Sequence, residues 1–231
     1  MFETGVLLED WAHIDDPFQL VVALRHRVQE LGATLVRGSA VSVSGNDADG
    51  PAAVLMDGTR LRADRVLVAA GAWSADLAGT VGDRALLESE RGYNTTLPHC
   101  AHLLSRQVVF AERKFVATPL SVGLRIGGAA EFAGLHAAPN YQRSDALLAL
   151  ARRFIGNLDA RDGKQWMGHR PSTPDSLPVI GASAVTPHVL YAFGHGHLGL
   201  TQSATTAALI GQLLDGVPTP IDMAPFAITR F

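Results

Sequence analysis

The stretch LYAFGHGHLGLTQSATTAALIGQLL (Leu190–Leu214) constrains this chain more than any other. Gly194, Gly196 and Gly199 spell G-x-G-x-x-G between a short apolar strand and a helix, the arrangement that opens a dinucleotide-binding βαβ unit. Such a unit needs a second parallel strand carrying an acidic residue. Here only DGVPTPIDMAPFAITRF follows, and its prolines oppose a central parallel strand. Asp215 lies near the expected offset, but at a helix end. The dinucleotide assignment fails on context, while its physical asset survives. A glycine turn leading into a helix presents unpaired backbone N–H groups at the positive end of the helix dipole, where partial negative charge is stabilised. Ser203, Ala204, Thr205, Ala207, Ala208 and Gly211 are small enough for a backbone or a planar ligand to approach that helix closely. A strand-to-helix turn with no ligand is the alternative at this point.

Composition narrows the classes. The 231 residues, 47% hydrophobic, suffice for one or two domains with a sizeable core. A formal net charge of −3 offers no basic surface for nucleic acid or anionic lipid. The single cysteine, Cys100, excludes a disulfide framework and a cysteine-built zinc site, and it suits a reducing compartment. No apolar run approaches the roughly 20 residues needed to cross a bilayer. The acidic opening MFETGVLLEDWAHIDD lacks the basic and apolar regions of a signal peptide. A soluble, cytoplasmic globular protein is expected.

Along the chain, DDPFQLVVALRHRVQELG predicts a helix capped by Asp16, with Pro17 in its first turn and Gly32 ending it. Leu20, Leu24, Val28 and Leu31 form its apolar stripe. AAVLMDGTRLRA predicts a hairpin turning at Asp57-Gly58. RVLVAAG predicts a short strand buried on both faces, as in a parallel sheet. From about Gly82 the pattern changes to alternating strands suited to an antiparallel sheet, followed by a helix capped at Ser144. Short buried-type strands and the final helix, Leu198–Leu214, close the chain. The order α/β, then mostly β, then α/β again predicts a discontinuous domain with a second one inserted in it.

Three further stretches stand in order before the glycine turn: RVLVAAGAWSADLA (Arg65–Ala78), ERGYNTTLP (Glu90–Pro98) and GHRPSTPDSLPVIG (Gly168–Gly181). With it they resemble the FAD-dependent D-amino-acid dehydrogenases, in the wider group that includes glycine and sarcosine oxidases. TPLSVGLRIGGAAEFAG (Thr118–Gly134) is similar to that family's substrate-domain sheet, and the resemblance extends from about Phe2 to Phe231. It implies an α/β (α+β) fold: residues 1–84 and 166–231 form an incomplete FAD-binding, Rossmann-like domain, and residues 85–165 form an inserted antiparallel-sheet substrate domain. It also implies that Gly194, His195, Gly196, His197, Leu198, Gly199 and Thr201 face the flavin and its ribityl chain. The electron-rich edge of a reduced flavin suits the helix start there. Ala70, Gly71 and Trp73 would lie by the FAD diphosphate, and the backbone of Val41 would meet the adenine.

Arg170 matches the family position that pairs the substrate carboxylate, with Tyr93 and His197 implied at the same pocket. The guanidinium suits that task on chemical grounds, since it can hold a carboxylate bidentately and so orient an amino acid's Cα–H. A structural arginine in a proline-rich loop is the competing account. No metal is expected, because His195, His197, His169 and His188 show no carboxylate–histidine pattern at a familiar ligand spacing. Cys100 is expected to be an ordinary buried or loop thiol.

The sequence departs from the family in one respect. The family opens with a βαβ unit bearing its own G-x-G-x-x-G, whereas this sequence starts in the region that follows it. Half of the flavin site is therefore expected to come from elsewhere: from a longer chain, from a partner chain or from self-association. Three functions stay open. The chain is the C-terminal portion of a flavin-dependent oxidoreductase acting on a small (D-)amino acid, a non-catalytic amino-acid-binding module, or a subunit of a hetero-oligomeric flavin oxidase. A quinone acceptor would add a membrane-peripheral location.

Overall fold

The computed structural model describes residues 4–45 and 50–231. Phe2, where the resemblance begins, lies outside the described residues. Helix α1 (Pro17–Glu30) starts as its sequence dictates: the Asp16 carboxylate accepts from the N–H groups of Phe18 (2.9 Å) and Gln19 (3.2 Å), and Pro17 takes the first turn. Its apolar stripe behaves otherwise. No residue of α1 is buried, and Leu24 stays 55% exposed. Strands β1 (Ala40–Ser44), β2 (Ala52–Leu55) and β3 (Arg60–Arg62) form an antiparallel meander. Its second turn is the expected Asp57-Gly58 one, in which Asp57 accepts from the Thr59 N–H and Gly58 takes φ +85°.

Strand β4 (Val66–Val68) runs through a turn at Gly71 into α2 (Ser74–Val81). Strand β5 (Glu88–Leu97) then leads to β6 (Val108–Phe110), β7 (Phe115–Leu120) and β8 (Gly123–Phe132). Helix α3 (Gln142–Ala151) begins two residues ahead of the expected cap. Ser144 is buried inside the helix, and the Asn140 side chain accepts from the Gln142 N–H instead. Strand β9 (Lys164–Ser172) was not expected from the sequence. It shows that Arg170 stands on a strand rather than in a proline-rich loop. Strands β10 (Val179–Ala182) and β11 (Val189–Phe193) and helix α4 (Gly199–Asp215) complete the fold.

The chain divides into two compact units. The first comprises residues 4–35, 91–131 and 138–168. Its body is a five-stranded sheet, ordered β6-β7-β8-β5-β9, over a core of Leu97, Phe110, Phe115, Leu124, Ile126 and Ile155. Phe110 and Phe115 stack at 4.2 Å. The sheet is antiparallel where β6, β7 and β8 pair.

The second unit comprises residues 36–90, 132–137 and 169–231, with residues 46–49 outside the description. Its centre is a three-stranded sheet ordered β10-β11-β4, in which β11 pairs antiparallel with β10 and parallel with β4. One face packs on α2 and β1 through Val43, Val68, Leu77, Tyr191 and Phe193, and the other packs on α4 through Ile180, Leu190, Leu209 and Ile210. Thr80 on α2 fastens the meander by accepting from the Val43 N–H (2.9 Å). A buried carboxylate, Asp83, accepts from the hydroxyls of Tyr191 (2.7 Å) and Ser183 and from the Ala184 N–H (3.1 Å). Burial first, and the Asp83 carboxylate next, hold the Tyr191 phenol well above its ordinary pKa.

Strand β4 corrects one expectation. Among the described residues it is an edge strand with one face covered: Val68 is buried while Leu67 is 43% exposed. The second glycine turn, by contrast, is tightly determined. Gly194 has φ +84°, and a Cβ built there would fall 2.9 Å from Thr173 Cγ2. Gly211, in the helix, has nothing within 4 Å of such an atom. Gly194→Ala is expected to cost about 1–3 kcal/mol from backbone strain alone. Gly211→Ala is expected to be neutral or slightly stabilising. Urea melts of the two variants against the parent would check the contrast.

Candidate functional site

The parallel register of β4 and β11 (Val66 opposite Val189, Val68 opposite Tyr191) brings the carboxyl ends of both strands to one edge of the sheet. Each end turns at a glycine in the left-handed region, Gly71 (φ +58°) after β4 and Gly194 (φ +84°) after β11. Each turn then passes through one tight helical turn into a helix without a side-chain cap. Two sets of helix-start N–H groups therefore sit side by side at the position where open α/β sheets bind their ligands. A Cβ on Gly71 would meet nothing within 4 Å, so this glycine answers to backbone conformation and borders open space.

Beside these turns lies a hollow of about 460 Å³. Its floor is Leu67, Ala69 and Ala192, and its wall is the narrow face of α4, from Gly199 through Ser203 and Ala207 to Gly211. His195 borders it with its ring half-buried, Nε2 lying 2.9 Å from the Thr206 hydroxyl. Burial lowers the pKa of this imidazole. His197, two residues on, is largely exposed and donates from Nε2 to Glu90, 2.9 Å from Oε1 and 3.1 Å from Oε2.

Arg170 belongs to the same unit. Its Nη1 lies 3.4 Å from Glu90 Oε1, the one polar contact of its side chain among the described residues, so one of five donors is engaged there and at a long distance. Burial lowers its pKa, and the Glu90 charge offsets part of that effect. Trp73 is half-exposed and meets His169 edge-to-face at 5.2 Å, while His169 Nδ1 lies 2.7 Å from the Ser89 hydroxyl. Val41 is the extra residue of a β-bulge: Ala40 pairs with Leu55 and Ser42 with Val54, so Val41 has no opposite residue in that register. Leu198 and Thr201 are exposed at the start of α4.

Tyr93 belongs to the first unit. It is fully buried, and its hydroxyl donates to Glu131 at 2.5 Å and accepts from the Asn140 N–H at 3.1 Å. The Tyr93 hydroxyl, followed by Arg143 and Arg91, holds the Glu131 carboxyl below its ordinary pKa. Cys100 is buried, its sulfur accepting from the Asp159 N–H at 3.2 Å. Among the described residues no three His, Cys, Asp or Glu side chains gather as metal ligands, and no helix is long and apolar enough to cross a membrane.

Sequence reasoning passed over two residues. Glu90 gathers Arg170, His197 and Ser172, yet the sequence shows it only as one carboxylate in an alternating strand. Asp175, within the stretch that carries Arg170, grips Arg230 at 2.8 Å and is held at a pKa of about 2 by that guanidinium. Its offset in the chain gave no sign of a partner 55 residues away.

The model of the family described as DAO, FAD dependent oxidoreductase, matches residues 1–213. The chain belongs to that family. A D-amino-acid oxidase from Bradyrhizobium diazoefficiens is 39% identical over the whole of this chain, and the match covers 55% of that protein. A D-amino acid dehydrogenase from Rhizobium johnstonii is 31% identical over 98% of the chain and 55% of its own length. Among solved structures, a glycine oxidase from Geobacillus kaustophilus superposes with a TM-score of 0.80 at 25% identity, over 92% of this chain and 57% of that one. The chain spans about half the length of the curated relatives it matches.

FAD is the cofactor of this family, and the residues present suit such a group. The donor set at the sheet edge is backbone N–H at two uncapped helix starts, complementary to a diphosphate or to the electron-rich edge of a reduced flavin. The glycines and alanines around it leave room for a planar ring system. His195 supplies a checkable consequence of this packing. Its imidazole should titrate below the ordinary 6.5. The folded state then keeps its full stability from this group above pH 6.5 and loses it as pH falls towards the depressed folded value. Histidine proton shifts followed by NMR through that range, with His195→Gln to assign the resonance, would check it.

Proposed function

We propose that this chain carries the substrate-anchoring arginine and the flavin-facing glycine turn of an enzyme that oxidises a small D-amino acid. The product is an imino acid, which water hydrolyses to a 2-oxo acid and ammonia. The observation that carries the reading is Arg170: a guanidinium that engages one of its five donors among the described residues, in the same unit as the two uncapped helix starts. A relative named D-amino-acid oxidase and another named D-amino acid dehydrogenase support the substrate class.

FAD, when bound, supplies the acceptor for the two electrons that leave the substrate Cα with its hydrogen. The chain's own residues do the rest. Arg170 takes the substrate carboxylate in a bidentate pair and fixes the orientation of the Cα–H bond. Backbone groups of Gly194, His195, Gly196, His197, Leu198, Gly199 and Thr201 line the flavin side. Ala70, Gly71 and Trp73 take the diphosphate side, and the unpaired position of Val41 in β1 offers its backbone to the adenine. The amine must be neutral when the hydride leaves, so a zwitterion that binds first gives up one ammonium proton before that step.

The remaining half of the flavin site comes from further chain or from a partner. The free edge of β4 and the hollow against α4 are where it seats, since an exposed parallel edge strand with an uncovered apolar face calls for another strand and helix. That same edge favours one alternative, a subunit completed in trans within a hetero-oligomeric flavin oxidase. A cytoplasmic setting, at most peripheral to a membrane, completes the reading and is supported by the lone buried thiol.

The visible spectrum of the purified chain, before and after incubation with FAD, tests the cofactor half. A flavin band shows that this portion suffices; no band directs the search to the completing segment. In the completed enzyme Arg170→Ala should weaken amino-acid binding by roughly 2–5 kcal/mol while flavin stays bound. Unchanged kinetics would overturn the assignment.

A further inference from the structure

The carboxylate of Glu90 already rests on the guanidinium assigned to the substrate. Glu90 stands on β5 and Arg170 on the neighbouring strand β9. Side-chain exposure is 13% for Glu90 and 28% for Arg170, so the two are partly withdrawn from water. Three donors converge on Glu90: Arg170 Nη1 at 3.4 Å, the Ser172 hydroxyl at 3.2 Å and His197 Nε2 at 2.9 Å.

These contacts are unequal. A well-formed guanidinium–carboxylate pair uses two parallel N–H donors at about 2.7–2.9 Å. The Arg170 contact uses one donor at 3.4 Å, so an arriving carboxylate that takes the whole fork gains more than Glu90 gives up. Ser172 and His197 then keep Glu90 in place. Charge decides what kind of carboxylate can arrive. A simple anion on Arg170 would strip Glu90 of its guanidinium and set a second negative charge beside it in a region of reduced solvent screening. An amino acid avoids both costs, because its carboxylate takes Arg170 and its amino group donates to the acceptor capacity that Arg170 vacates on Glu90.

We propose that Glu90 is a specificity-determining residue that reads the substrate's amino group, so that the site accepts amino acids and rejects 2-hydroxy acids and unsubstituted carboxylic acids of equal size. The proposal rests on the assignment of Arg170 to the substrate carboxylate. It adds that the Arg170–Glu90 pair opens to admit a zwitterion, exchanging one ion pair for two. His197 and Ser172 are positioning residues in this scheme, and their task is to hold Glu90.

Equilibrium binding of D-alanine, D-lactate and propionate to the full chain, by calorimetry, tests it without turnover. The wild-type protein should bind D-alanine at least about tenfold tighter than D-lactate or propionate. Equal affinity for D-alanine and D-lactate overturns the proposal before any variant is made. Glu90→Gln keeps the shape and removes the charge, and it should bring the three affinities to within about threefold by weakening D-alanine and tightening the other two. An unchanged preference in Glu90→Gln, with all three ligands lost in Arg170→Ala, overturns the Glu90 role and leaves Arg170 standing. Wild-type binding in Arg170→Ala, or no binding of any ligand to the wild-type protein, overturns the Arg170 assignment and this proposal with it.

Discussion

The parallel pairing of β4 with β11 is the contact on which the second unit depends. Two short strands from distant parts of the sequence lie side by side in the same direction, and the shared edge with its two glycine turns follows from that alignment. Each strand must end at the same edge, each must turn there, and each turn leads into a helix whose first N–H groups have no side-chain partner. Had β11 met β4 antiparallel, the two glycine turns would lie at opposite ends of the sheet. No common anion-attracting edge would exist. The G-x-G-x-x-G pattern thus acquires its meaning from its neighbour and not from the spacing of its glycines.

Much of the fold was legible because its cues are local. Asp16 and Pro17 announce a helix start within three residues, and Asp57-Gly58 announces a hairpin because the turn's φ requirement is met on the spot. Where the deciding partner is far away in sequence, reading fails. Ser144 looks like a cap, but the chain before it turns early enough for Asn140 to do the work. The segment carrying Arg170 looks like a loop because of Pro171 and the prolines after it, yet it is a strand. Of the candidate site, the glycine turns were legible from composition at the strand ends, and the role proposed for Arg170 was legible only through family resemblance. Glu90 was not legible at all, since nothing near it in the chain shows that Arg170 and His197 will meet it.

Exposed apolar surface shows a second limit. The stripe on α1 and the outer face of β4 carry the apolar pattern of covered surfaces, since hydrophobic periodicity reports which side chains avoid water. Periodicity cannot say what supplies the cover. Among the described residues, Leu24 and Leu67 remain substantially open. The share of the relatives' length that this chain spans, 55% for both curated proteins, gives these open faces a natural context.

The Asp83 network has a consequence for the order of synthesis. Asp83 accepts from Tyr191 across 108 residues and from Ser183 across 100. Until β11 leaves the ribosome, that carboxylate lacks the Tyr191 hydroxyl and β4 has no parallel neighbour. At about 5–20 residues per second, translation leaves the early half of this unit waiting for several seconds. The hairpins of the five-stranded sheet, whose β6, β7 and β8 pair with near neighbours, need no such delay. The unit that holds the glycine turns is therefore the last to close, and its apolar strands wait through that interval without their final partners.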